Sequence, residues 1–169
     1  MVDHFDRFSG AADNALVTRN AALYGAWALR DTPTRVHRDK VDVARRVIDA
    51  YNRRDVDGLF AELATPDFEY YPAVVQALDG GGYRGREAVE RFKVETSEHW
   101  EELQSLPEEF RDLGDRVLVL GRLRGRGKAS GAPVNTPQAV ILDFRGDRIW
   151  RSRVYLDHAE GLRAAGLSE

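Results

Sequence analysis

Two short stretches of this chain carry side chains whose types and spacing could move a proton. In DFEYYP (67–72), Glu69 and Tyr71 stand two residues apart, so on an extended backbone they share one face while Phe68 and Tyr70 take the other. In IWRSRVYLD (149–157) the same alternation puts Ile149, Arg151, Arg153, Tyr155 and Asp157 on one face. Trp150, Ser152, Val154 and Leu156 fall on the opposite face. A carboxyl group in apolar surroundings has a raised pKa and can serve as a general acid or base, whereas one beside a guanidinium stays ionised and is a weak base. Glu69 therefore reads in two ways, as an acid–base group or as half of a buried ion pair with Arg151 or Arg153. Asp157 also reads in two ways, as a catalytic carboxylate beside Arg153 or as the N-cap of a final helix. His99, followed by Trp100, falls near the end of a helix, where it can bond the helix terminus or line the mouth of a pocket.

Other chemistries find less support. With no cysteine, the chain has no disulfide, thiolate nucleophile or zinc-thiolate site. The histidines at 4, 37, 99 and 158 show no ligand spacing, so neither a metal nor any other cofactor is expected. The glycines at 80–82 are not followed by the Lys-Ser/Thr of a phosphate loop. The basic run RLRGRGK (122–128) reads as one solvated strand face that acids such as Glu108, Glu109 and Asp112 could pair with, and a formal net charge of -3 attracts no polyanion, so nucleic acid is not an expected partner. No apolar run is long enough for a membrane-spanning helix, and the first ten residues lack the apolar core of a secretion signal, which points to a cytoplasmic setting.

The elements that must position these residues follow from periodicity. Residues 1–40 read as an N-terminal extension, with an Ala-rich helix over 11–29 that Pro33 ends. The domain proper spans 41–169. Asp39 or Asp42 caps a helix whose Ala44, Val47, Ile48 and Tyr51 form one apolar stripe, and Asp55 or Asp57 caps a shorter one bearing Leu59, Phe60 and Leu63. Residues 67–72 read as an aromatic strand, and 86–100 as a third helix with Val89, Phe92, Thr96 and Trp100 on one face. Strands are expected over 108–113, 116–126, 133–144 and 149–157, the last two joined by a turn at Gly146-Asp147. The first half of 116–126 is apolar on both faces, so it needs a second layer or a partner chain. Helices on an antiparallel sheet make the fold class α+β.

These elements resemble a known superfamily. VIDAYNRRDVDGL (47–59) is similar to the first two helices of the nuclear-transport-factor-2-like (NTF2-like) superfamily, and YRGREAV (83–89) to the G-x-x-A/G lead into its third helix. GAPV (131–134), FRGDRI (144–149) and YLDHAEGLRAAG (155–166) are similar to the tail of its SnoaL-like branch, named for polyketide cyclases. The likeness covers about 42–167. It implies a conical α+β barrel: a curved antiparallel sheet wraps the long helix and leaves an apolar pocket, which the fold would line with Glu69 and Tyr71. It also implies a homodimer through the outer sheet face.

The steroid-isomerase branch would place its base aspartate at Tyr71, its acid tyrosine at Val47 and its protonated acid near Val140. None of these carries the required group, so Val47 and Val140 become pocket lining. The cyclase branch would place an acid–base aspartate at Asp157, with Arg153 standing where it has tryptophan. The functional expectation is a protein that binds a small, cyclic, oxygenated molecule and acts on it by cyclase-, isomerase- or hydrolase-type acid–base chemistry. Asp157 or Glu69 would be the catalytic carboxylate, with Tyr71, Arg153, Tyr155, His99 and Trp100 orienting the ligand. The alternative is a non-catalytic ligand-binding or dimeric scaffold domain of the same fold.

Overall fold

The structure is a computed structural model that describes residues 39–168. The N-terminal extension up to residue 38, including the helix expected over 11–29, lies outside the described residues.

Helix α1 (Lys40–Asn52) begins where the Asp39 carboxylate accepts a hydrogen bond from the Val41 amide at 2.9 Å. Its stripe of Val43, Ala44, Val47, Ile48 and Ala50 is buried. Helix α2 (Val56–Leu63) begins the same way, with Asp55 accepting from Gly58 at 3.1 Å. Each cap satisfies an amide that the first helical turn cannot, an effect of about 1 kcal/mol.

Strand β1 (Ala64–Tyr71) runs into a seven-residue helix, α3 (Ala73–Asp79), to which the sequence analysis assigns no element. Seven residues show too little periodicity to read; the helix is delimited by Pro72 before it and by Gly80, whose φ of 69° suits a left-handed end. A two-residue strand, β2 (Tyr83–Arg84), precedes α4 (Arg86–Ser97). Four long strands follow: β3 (Trp100–Asp112), β4 (Arg116–Gly127), β5 (Pro133–Arg145) and β6 (Arg148–Tyr155), then helix α5 (His158–Ala164).

β3 is longer than the 108–113 expected, because it takes in Trp100, which the periodicity assigned to the end of the third helix. Its polar first half and Pro107 hide it in the sequence. Proline is tolerated there because β3 is an edge strand and its register with β4 shifts between Pro107 and Glu109. In that register Arg122 faces Leu106 and bonds Asn135 instead of the acids of 108–112.

The six strands form one curved sheet in the order β2-β1-β6-β5-β4-β3. The order differs from a purely antiparallel sheet at one place, where β1 pairs with β6 in parallel. A parallel neighbour needs a long crossover, and here the whole of α3 through β5 supplies it.

Each face of the sheet has its own apolar cluster. Val117, Val119, Val140, Leu142 and Phe144 pack against Val43, Val47, Leu59 and Phe92 of the helices. On the other face Leu118, Leu120, Ala139 and Ile141 pack against Leu162 of α5. The second layer demanded by the two-sided apolarity of β4 is therefore α5. It lies close because Gly161 has no side chain: a Cβ there would stand 2.3 Å from that of Ala139.

The edge strand is tied to the helical layer by Asn52. Its amide nitrogen donates to the Ser105 carbonyl at 2.9 Å, and its amide oxygen accepts from the Ser105 N–H at 2.8 Å. An Asn52→Ala variant should lose about 1–3 kcal/mol, the cost of leaving two part-buried backbone groups unpaired. A lower urea midpoint with an unchanged m-value is the expected reading.

Candidate functional site

The inner face of the sheet and helices α1, α3 and α4 enclose a cavity of about 600 Å³, the size of a drug-like ligand site. Its walls are mainly apolar, with Val47 and Ile48 from α1, Leu103 from β3, Val140 and Leu142 from β5, and Val154 from β6. Val47, Val140, His99 and Trp100, all expected at the pocket, do line it.

Glu69, Tyr71, Arg153, Tyr155 and Asp157 do not line it, which corrects the expected arrangement. Both strands present the opposite face to the cavity: Tyr70 from β1, and Ser152, Val154 and then Leu156 from β6 and its end. The β1–β6 register pairs Tyr70 with Ser152 on this side, and Glu69 with Arg151 and Tyr71 with Arg153 on the other. Ile149 breaks the alternation expected for 149–157. It pairs with Phe144 in the core, while Arg151 pairs with Asp143, so Trp150 is the extra residue of a bulge. The Trp150 ring then sits 4.2 Å from the Arg145 guanidinium and 4.4 Å from that of Arg151.

The displaced charges are satisfied outside the cavity. Glu69 pairs with Arg84, not with Arg151 or Arg153, and accepts from the Tyr71 hydroxyl at 3.2 Å. Arg151 and Arg153 instead donate to Asp143, at 2.9 and 3.0 Å. Asp143 is only 4% exposed, and the sequence reading passed over it inside an apolar run. A buried carboxylate that serves two guanidiniums is a structural ion pair, held because leaving either side unpaired is costly. Asp157 is the N-cap of α5 and accepts from the Glu160 amide at 2.8 Å. Tyr155 packs with the outer cluster around Leu118 and Ile141.

The cavity's own carboxyl group is Glu95, which the sequence reading missed. It lies three residues after Phe92 and four before His99, so it continues the face that both define, and that spacing was the available signal. The Tyr70 hydroxyl donates to Glu95 Oε2 at 3.0 Å. Loss of water pushes the Glu95 carboxyl above its ordinary range, against the opposing pull of that hydrogen bond, Arg91 and His99. Burial and the neighbouring Glu95 also push the phenols of Tyr51 and Tyr70 up, so both remain protonated donors. A second polar point is Gln138, 6% exposed, whose amide oxygen accepts from the Ser105 hydroxyl at 2.6 Å.

The arrangement can hold an apolar ring system and present to it one protonatable carboxyl, two phenols and an amide. Among the described residues no cluster of three or more His, Cys, Asp or Glu could hold a metal ion, and no helix is long and apolar enough to cross a membrane.

A curved α+β sheet with helices enclosing an apolar cavity defines a cone-shaped, small-pocket class of protein. The sequence profile of the SnoaL-like domain matches residues 44–152, and the chain belongs to that family, within the NTF2-like superfamily. Among solved structures it is similar to an NTF2-like protein of unknown function from Burkholderia pseudomallei. The two are 27% identical over 73% of this chain and 95% of that chain, with a TM-score of 0.59. An NTF2-like protein from Burkholderia xenovorans is 26% identical over 75% of this chain and 95% of its own, with a TM-score of 0.57. A candidate SnoaL-like polyketide cyclase from Jannaschia is 20% identical over 80% of this chain and 96% of its own, with a TM-score of 0.60, a likeness of fold alone. No curated protein matches the chain.

The raised Glu95 pKa has a consequence for stability. A carboxyl that holds its proton more tightly when folded than when unfolded makes the native state lose stability as pH rises from the ordinary value of 4.5 through the folded one. Glu95→Gln removes that loss. The melting temperature of the variant relative to the parent should therefore be higher at pH 7 than at pH 4, and calorimetry across that range checks it.

Proposed function

We propose that the chain binds a small, cyclic, oxygenated molecule in the cone, and that Glu95, steadied by Tyr70, is the group that exchanges a proton with it. The observation that carries this reading is the Glu95–Tyr70 pair, a partly desolvated carboxyl with a phenol at 3.0 Å in the wall of a mainly apolar 600 Å³ cavity. Desolvation raises the pKa of such a carboxyl, which makes it a stronger proton acceptor than a solvated one. The neutral phenols of Tyr51 and Tyr70 and the Gln138 amide are hydrogen-bond partners for ligand oxygens. Cyclase-, isomerase- and hydrolase-type reactions all draw on this set of groups. Glu69 and Asp157, the carboxylates first put forward from the sequence, have structural partners and serve as controls.

The test is a thermal-shift screen of polyketide-like and terpenoid-like compounds, followed by turnover of any binder. Glu95→Gln should retain binding of neutral compounds and slow turnover about 100-fold or more, the usual weight of a positioned acid–base group. Glu69→Gln and Asp157→Asn should leave both unchanged. Binding without turnover in the parent, unaltered by Glu95→Gln, would support the non-catalytic alternative.

The same reading includes a cytoplasmic homodimer joined through the outer sheet face, where Tyr71, Arg153 and Tyr155 are partly buried beside buried Asp143. Light scattering should report twice the 19.0 kDa chain mass, and Tyr155→Glu should shift it toward the monomer.

A further inference from the structure

The cavity is unbalanced in charge. Among the described residues its lining includes no Arg, Lys or Asp; Glu95 is the one carboxyl and His99, exposed at the rim, the one basic side chain. The guanidiniums of β6, which could have met an anion, are turned to the other face and share Asp143. No Arg or Lys among the described residues reaches Glu95 within ion-pair distance. Arg91, one turn before it on α4, lies over the Tyr83 ring at 5.2 Å.

Around Glu95 stand aromatic rings. Tyr70 donates to its Oε2, and the Phe92 ring meets those of Tyr70 and Tyr51 edge to face, at centroid distances of 5.2 and 5.6 Å. A partly buried carboxyl beside aromatic side chains is matched by a ligand with an apolar body and a positive head. The cation gains the carboxylate and the negative faces of the rings, and it supplies a counter-charge closer than Arg91, which makes no ion pair with Glu95. A ligand anion would meet the carboxyl with no Arg or Lys in the lining to receive it.

We propose that the ligand of this cavity carries a positive charge: a ring-bearing amine or quaternary ammonium whose head sits between Glu95 and the rings of Tyr51, Tyr70 and Phe92. This rests on the small-molecule reading of the cone and narrows it to one class. An amine entering neutral takes the proton of Glu95, so the proton exchange of that reading becomes formation of the ion pair. Ligand oxygens remain for Gln138.

Three probes with one body decide it: naphthylmethyl-trimethylammonium, its uncharged carbon isostere with a tert-butyl head, and naphthylacetate. The full chain should bind the ammonium about tenfold more tightly than the isostere, the sum expected of a partly desolvated ion pair and ring contacts, with the carboxylate weakest. The groups facing Glu95 are Tyr51 from α1, Tyr70 from β1, and Arg91 and His99 on its own helix. None of them supplies a second carboxylate, so ammonium affinity should fall as pH drops through the titration of Glu95 while isostere affinity stays level. Glu95→Gln should remove most of the tenfold preference, leaving only the share of the ring contacts, and leave isostere binding intact, which a merely misfolded variant would not do. Phe92→Leu should lower ammonium affinity more than isostere affinity. Equal or tighter binding of the isostere by the parent overturns the charge assignment alone. Failure of all three to bind overturns the cavity reading with it.

Discussion

The pleat of β1 and β6 decides what the cone contains. Alternate residues of a strand must leave on opposite faces, and these two neighbouring strands run in parallel with Tyr70 opposite Ser152. Once Tyr70, Ser152 and Val154 face the helices, Glu69, Arg151 and Arg153 have nowhere to go but the far side. A buried charge needs a partner, and the far side supplies one for each: Arg84 for Glu69, and Asp143 for both arginines. The interior is thereby left apolar, which is what makes the single helical carboxyl, Glu95, electrostatically prominent.

That carboxyl differs from those of β1 and the C-terminal hairpin in how it is held. Asp157 accepts from the Glu160 amide at the start of a helix and Asp143 sits between guanidiniums, so each carboxylate has a structural partner of its own. Glu95 has one phenol donor, with Arg91 and His99 each one turn away along its helix, and is partly withdrawn from water. A group with little to hold its charge responds to whatever enters the cavity, by giving up its proton or taking a counter-ion. The phenols beside it do not compete, because burial and the Glu95 charge itself both resist their ionisation.

The framework that presents this site relies on short-range devices. Asp39 and Asp55 set where α1 and α2 begin, so the stripe of α1 faces the sheet. Asn52 replaces a missing strand partner at the edge of β3, so Ser105 reaches Gln138 across the cavity wall. Gly161 lets α5 lie on Ala139 and close the outer face of β4 and β5. The inner layer therefore has no need to fill solid, because the sheet is braced from behind.

Local patterns decided much of this in the sequence alone. The stripe of α1, the capping aspartates, the turn at Gly146 and the two-sided apolarity of β4 each depend on neighbours within a few residues and give the α+β class, while the cone is what the resemblance of 42–167 to the NTF2-like superfamily implies. Alternation likewise showed that Glu69 pairs in face with Tyr71, and Arg153 with Tyr155. It could not say which face meets the helices, since period two is the same whichever side is inward. The bulge at Trp150 depends on how β6 is held against β5, and so moved Ile149 inward without leaving a mark in the pattern. Only the packed structure brings Glu95 of α4 to Tyr70 of β1, residues 25 apart, because their meeting depends on the helix crossing the sheet at one place.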